Sequence, residues 1–184
     1  TIESVHVNGH LRGEASTATA GIAGILEQST MDNSTANVTI NLTGNGETTV
    51  QSIGLGGAVG LAVNSSLRNV TGRAAIRAPQ GSPPLSVGAG GLAGFLDNTS
   101  VVQTSSASGS VEAGASAGGL IGGARGTIRS SYASTSVGAS RFAGGLVGRL
   151  GIVNRSGYVN ESYAVGPVSA SNAAGGLIGY NVSS

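Results

Sequence analysis

The sequence predicts an all-β chain, a β-solenoid or β-helix-like stack of about six short strand-turn-strand repeats, with an irregular β-sandwich as the alternative. Three observations carry that prediction. The chain is built from small residues, with 33 glycines among its 184 residues, no Cys, no Trp, two Phe and four Tyr, so the large aromatic side chains that usually fill a core are scarce. A five-residue unit, Gly-Gly-Leu-x-Gly, recurs along it. Between copies, apolar and small polar residues alternate with the period of a strand.

Four copies of the unit are clear: Gly90-Gly91-Leu92-Ala93-Gly94, Gly118-Gly119-Leu120-Ile121-Gly122, Gly144-Gly145-Leu146-Val147-Gly148 and Gly175-Gly176-Leu177-Ile178-Gly179. Two looser copies precede them, at Ala20-Gly21-Ile22-Ala23-Gly24 and Gly56-Gly57-Ala58-Val59-Gly60. Their starts are 36, 34, 28, 26 and 31 residues apart, the length of one supersecondary unit per repeat. Residues 1–184 therefore form a single repeat domain, degenerate over 1–89 and regular over 90–184. No copy can bury its own face, which favours stacking in which each rung touches only its neighbours. The Leu, Ile and Val of the unit are expected to fill a narrow core. The paired glycines would supply positive φ or a close approach of backbones.

A second half completes each repeat, as in Thr127-Ile128-Arg129-Ser130-Ser131-Tyr132-Ala133-Ser134-Thr135-Ser136-Val137 and Val159-Asn160-Glu161-Ser162-Tyr163-Ala164-Val165-Gly166-Pro167-Val168. At these residues the chain resembles the GLUG-motif repeat family of large bacterial surface proteins, adhesins and some secreted peptidases. The match is closest over 118–137 and 144–168, and covers about 90–179. The resemblance implies a β-helical surface module without catalysis of its own, since the peptidases that carry the repeat keep their chemistry elsewhere. A metallopeptidase of that kind would need His-Glu-x-x-His, and the two histidines, His6 and His10, do not form it.

Charged residues make up 9% of the chain, the net charge is +1 and no basic run exists, so nucleic-acid binding is not expected. No apolar run reaches the roughly 20 residues of a membrane-spanning helix. Residues 114–118 fit Gly-x-Ser-x-Gly, but both histidines lie upstream of Ser116 and no helical periodicity follows it, so the segment reads as a repeat junction. Gly88-Ala89-Gly90-Gly91-Leu92-Ala93 lacks the helix that a dinucleotide site requires. The eight carboxylates are scattered, with no acid pair or Ca²⁺ loop. His6 and His10 alternate on a strand rather than stacking on a helix. No enzyme activity, catalytic residue, metal or cofactor is expected. Tyr132, Tyr158, Tyr163 and Tyr180 are the candidates for a sugar-stacking platform, but Tyr132 and Tyr163 share one repeat position and are read as structural.

Nine of the twelve asparagines lie in Asn-x-Ser/Thr: Asn33, Asn37, Asn41, Asn64, Asn69, Asn98, Asn154, Asn160 and Asn181. Composition alone would give about three. Over 36–43 the alternation places Val38, Ile40 and Leu42 on one face, with Asn37 and Asn41 on the other, joined by Asn33 if the strand starts early. The expectation is N-linked glycans on a wet face, and an extracellular or cell-surface location.

The chain opens in the second half of the repeat, around Thr1, Ile2, Val5 and Val7, and closes in the first half, around Leu177, Ile178, Tyr180 and Val182. Taken as a repeat split between the two ends, these residues form a subunit interface through which copies polymerise head to tail. The function expected is a structural subunit of an N-glycosylated extracellular fibre or surface assembly. The alternative is an adhesin module that binds a cell-surface glycan or protein.

Overall fold

The structure is a computed structural model that describes residues 1–14, 18–43, 52–78, 86–151 and 155–182. Every strand pair in it is parallel, and the strands order into four sheets that run the length of the stack. The fold is a β-solenoid, and the sandwich alternative falls away because no antiparallel pair exists among the described residues. The repeat has four strands rather than two. In the fifth rung they are Thr127–Arg129, Tyr132–Ala139, Phe142–Gly144 and Val147–Leu150, contributing in turn to the first, second, third and fourth sheet. The chain passes through all four sheets six times, from Ile2–Glu3 to Ile178–Asn181.

The register of the stack is the phase of the sequence repeat. Ala20, Gly56, Gly90, Gly118, Gly144 and Gly175 pair one after another in a single column of the third sheet. Unequal spacing is absorbed largely between the second and third sheets. Two residues join Ala113 to Ser116 in rung four, whereas eight separate Thr43 from Ser52 in rung two.

The motif is a corner. Its first glycine ends a third-sheet strand, the next Gly-Leu turns, and the remainder starts a fourth-sheet strand. The corner keeps its hydrogen bonds along the stack: Leu92 N–H donates to the Leu120 carbonyl, Leu120 to Leu146 and Leu146 to Leu177, each at 2.9 Å. None of its glycines has a positive φ; that conformation falls on Gly109, Gly151 and Gly166. Close approach is their reason. In rung four a Cβ on Gly118 would collide with the Ile121 carbonyl of the same corner. One on Gly119 would collide with the Gly145 carbonyl of the next rung and lie 2.9 Å from the Ala133 Cβ. One on Gly122 would lie 2.7 Å from the Gly88 Cα. The third and fourth sheets thus pack backbone against backbone, and the corner presses on an alanine column of the second sheet.

That contact divides the interior into two aliphatic columns. One is bounded by the first and fourth sheets and holds Met31, Leu67, Leu92, Leu120, Ile128 and Leu146, all fully buried. The other lies between the second and third sheets and holds Val38, Ile40, Leu55, Ile76, Val111 and Val137. Fully burying a Leu, Ile or Val side chain contributes about 1.5–3 kcal/mol, so many short contacts replace a few large ones. Leu, Ile and Val of the repeat do fill the first column, as the sequence implied.

Where the first sheet turns into the second, each rung places one non-glycine residue at positive φ: Ser4, Asn33, Asn69, Thr104, Ser130 and Glu161, with φ between 47° and 57°. The next residue is Ser34, Ser105, Ser131 or Ser162 in four rungs, and these serines form a ladder. The Ser131 hydroxyl donates to the Arg129 carbonyl of its own turn at 2.8 Å and accepts the Ser105 N–H of the rung before at 3.1 Å. Ser105 accepts from Val70 in the same way. One hydroxyl closes its own turn and ties it to its neighbour.

Because Gly119 faces backbone, Gly119→Ala is expected to overpack the corner by about 1–3 kcal/mol. A fall in melting temperature of several degrees should follow in a thermal scan. Gly138→Ala, whose added Cβ meets only ordinary contacts at 3.7 Å, should leave that temperature unchanged within a degree or so.

Candidate functional site

The outward faces of the rungs and the two ends of the stack are the candidate functional surfaces. Among the described residues there is no group of three or more His, Cys, Asp or Glu side chains that could hold a metal. His6 and His10 lie on one strand, His6–Glu14, and both face outward. Ser116, the centre of the Gly-x-Ser-x-Gly match, is buried in a third-sheet strand. The four tyrosines form no common platform. Tyr132 and Tyr163 are register partners on the second sheet and stack with ring centres 5.2 Å apart. Tyr158 stands on the first sheet, and Tyr180, in the last strand of the fourth sheet, stacks on Phe142 at 4.5 Å.

The asparagine sequons divide by backbone geometry. Asn37 is exposed on the outer face of Thr35–Thr43, with Val38, Ile40 and Leu42 buried behind it, as the alternation predicted. Asn41 shares that face and is half-buried. Asn33 does not join them: the strand begins at Thr35, and Asn33 sits at the corner before it with φ 47°. Asn64 and Asn69 occupy corners too, with φ 46° and 52°. At those three sites the corner itself dictates much of the triplet. Asn tolerates the left-handed conformation, Ser34 and Ser65 are buried ladder hydroxyls, and Thr35, Ser66 and Thr71 open strands. Ser162 of the Asn160 triplet belongs to the same ladder, donating to the Asn160 carbonyl at 2.7 Å. Asn98 and Asn181 are exposed outside such corners, and Asn154 lies outside the described residues. Part of the sequon excess is therefore a by-product of corner chemistry, a cause that becomes visible only once the register is known.

A second ladder runs where the fourth sheet turns into the first. Ser29 N–H donates to Ser65 Oγ at 3.1 Å, and Ser65 N–H to Ser100 Oγ at 3.0 Å. Ser100 Oγ then donates to Asp97 Oδ1 at 2.6 Å. Beside this ladder, over the outer face of the first sheet, lies a shallow polar groove of about 300 Å³ flanked by Gln28, Thr30, Ser66, Arg68, Gln103 and Arg129. Its lining came from no motif, because the residues belong to four rungs and only the stack brings them together.

The end residues sort as the repeat phase requires. Thr1, Ile2, Val5 and Val7 lie in rung one, and Leu177, Ile178, Tyr180 and Val182 in or just after rung six, at the opposite end of the stack. Ile2 and Ile178 pack on the first core column, and Val7 on the second, each only partly buried. The split repeat and the rung are the same unit cut at different points: counted from first sheet to fourth, the described residues make six rungs. Tyr180 and Val182 have partners within the chain: the Tyr180 ring rests on Phe142, and Val182 N–H donates to the Leu150 carbonyl at 2.9 Å.

No family model, curated protein or solved structure matches this chain.

Asp97 gives the second ladder a pH dependence. Partial burial pulls its carboxyl upward, but hydrogen bonds from the Ser100 and Thr99 hydroxyls and from the Asn64 and Thr99 N–H groups outweigh it, leaving the pKa below 3.8. The folded state thus binds this proton more weakly than the unfolded one. Its contribution to stability is complete above the unfolded value, near 4, and disappears as the pH falls through the lower folded value. Urea midpoints measured between pH 2 and 6 should fall with acid more steeply in the native protein than in Asp97→Asn. Equal slopes would show that this carboxylate carries no linked stability.

Proposed function

We propose that the chain is a structural module of an extracellular, N-glycosylated fibre or surface assembly, of GLUG-repeat type and without catalysis, whose copies stack end on end. The supporting observation is the match between the two ends. Rung six leaves Val159, Ala164, Val168 and Ile178 partly buried, with Leu177 37% exposed. Rung one leaves Ile2, Val7, Leu11 and Ile22 in the same condition. The first-sheet column reads Ile2, Met31, Leu67, Val102, Ile128 and Val159, so a second copy placed in the same register would follow Val159 with another Ile2.

Such a contact is whole rung on whole rung, with open parallel edges supplying backbone hydrogen bonds worth about 0.5–1.5 kcal/mol net apiece. The contact is heterologous, so it propagates into an open filament. Leu177→Arg adds charge at the rung-six corner while leaving the interior intact. Filaments seen by electron microscopy of the native protein should shorten or vanish in this variant and persist in Ser134→Arg, on the outer face. A native protein that sediments as a monomer at every concentration would end the fibre reading.

Glycans would project from the outer faces, leaving both ends free to pair. Peptide mass spectrometry of native material should find them at Asn37, Asn98 or Asn181 in preference to the corner sites Asn33, Asn64 and Asn69. If every sequon were bare, the extracellular assignment would lose its basis.

The groove over the first sheet favours the second reading, an adhesin module. Its Arg68 and Arg129 guanidinium groups and its amides and hydroxyls suit a polar saccharide. A glycan array on monomeric protein, repeated with Arg68→Ala, separates this reading from the first.

A further inference from the structure

Three of the nine arginines converge on the outer side of the fourth sheet. Arg149 lies in Val147–Leu150, in register with Gly123 on one side and Tyr180 on the other. Arg125 follows Ile121–Ala124, and its guanidinium lies 4.8 Å from the centre of the Phe95 ring. The Phe95 ring covers Gly123, where an added Cβ would fall 2.8 Å from a ring carbon. Arg155, arriving from the connection between rungs five and six, donates from Nη1 to Asn98 Oδ1 at 3.1 Å.

Two features of the cluster are costly as they stand. The Nε atoms of Arg125 and Arg149 are buried without a hydrogen-bond partner, and an unpaired buried donor on a charged group carries a full desolvation penalty. The charges are also mutually repulsive: burial first, then Arg155 and Arg149, lower the Arg125 pKa, and only Asp97 opposes them. Asp97 does not relieve the cluster by bonding, since its oxygens accept from Ser100, Thr99 and the Asn64 N–H. An anion seated among the three guanidinium groups would offset the repulsion between them.

We propose that Arg125, Arg149 and Arg155 form a binding site for a tetrahedral oxyanion, a sulfate or phosphate group, either free or as an ester on a saccharide. Phe95 lies against the face of the Arg125 guanidinium, a contact that leaves the edge of the fork for hydrogen bonding. A group with three or four oxygens can engage three forks, and a guanidinium meets such oxygens in pairs. The site is independent of the fibre reading, and it lies on the fourth sheet, whereas the adhesin groove lies over the first.

The test is titration calorimetry at constant ionic strength with two probes, inorganic sulfate and dextran sulfate, using dextran as the blank. Saturable binding is expected in the native protein, weakened about tenfold or more by Arg125→Gln or Arg149→Gln. Arg125→Lys should weaken it as well, since charge remains without the fork, while Arg12→Gln on the second sheet should not. Should Arg125→Gln prove unfolded by circular dichroism, Arg155→Gln, on an exposed residue, supplies the reading. Tighter binding of dextran sulfate per sulfate group identifies a saccharide ester as the ligand, and equal binding identifies the free anion. The proposal is overturned if neither probe saturates, if Arg155→Gln binds like the native protein, or if Arg12→Gln loses as much as the cluster variants.

Discussion

Backbone-against-backbone packing at the Gly-Gly-Leu corner is the contact on which the rest of each rung depends. The third and fourth sheets approach so closely that a methyl group at Gly118, Gly119 or Gly122 has nowhere to go. Two consequences follow from that approach. The interior splits into two thin aliphatic columns, and the second-sheet position facing the corner is restricted to small residues, as at Ala36, Gly72, Ala107, Ala133 and Ala164. A chain with so few aromatics can then exclude water, because there is little volume to fill.

Given the corner, the remaining stability is distributed along the stack. Backbone hydrogen bonds run from rung to rung through strands and corners alike, so turn residues are not left to solvent. The serine ladders extend this economy to side chains: a buried hydroxyl serves as donor within its rung and acceptor toward the neighbour, meeting the demand that buried polar groups be paired. Energetics of this kind are local and additive in the number of rungs. The arginine cluster is the exception, where unpaired buried donors and like charges accumulate with Asp97 as the one charge opposing them at Arg125.

The outer faces are read by column rather than by motif. Asn37 stacks between Asn8 and Arg73, and the groove over the first sheet draws on four rungs. Chemistry on such a surface arises from residues 26 to 36 apart brought to neighbouring rungs, about 4.8 Å from one to the next. The short motifs at 88–93 and 114–118 both span a third-sheet strand and a glycine-containing turn.

What the sequence determined by itself was the axial order. The recurrence of Gly-Gly-Leu-x-Gly set the number of rungs and their register, because glycines required by close packing must align from rung to rung, and it placed Val38, Ile40 and Leu42 inward because strand alternation is a local property. The tertiary structure decided the lateral arrangement. Four strands per rung, the choice of close approach over positive φ for the motif glycines and the left-handed corner at Asn33 were not legible, since each depends on which backbone lies across the interior. The meeting of Arg125, Arg149 and Arg155 belongs to the same class. Their separations in sequence follow no motif, and only the stacking of the fourth sheet, with the segment that carries Arg155 alongside, makes neighbours of them.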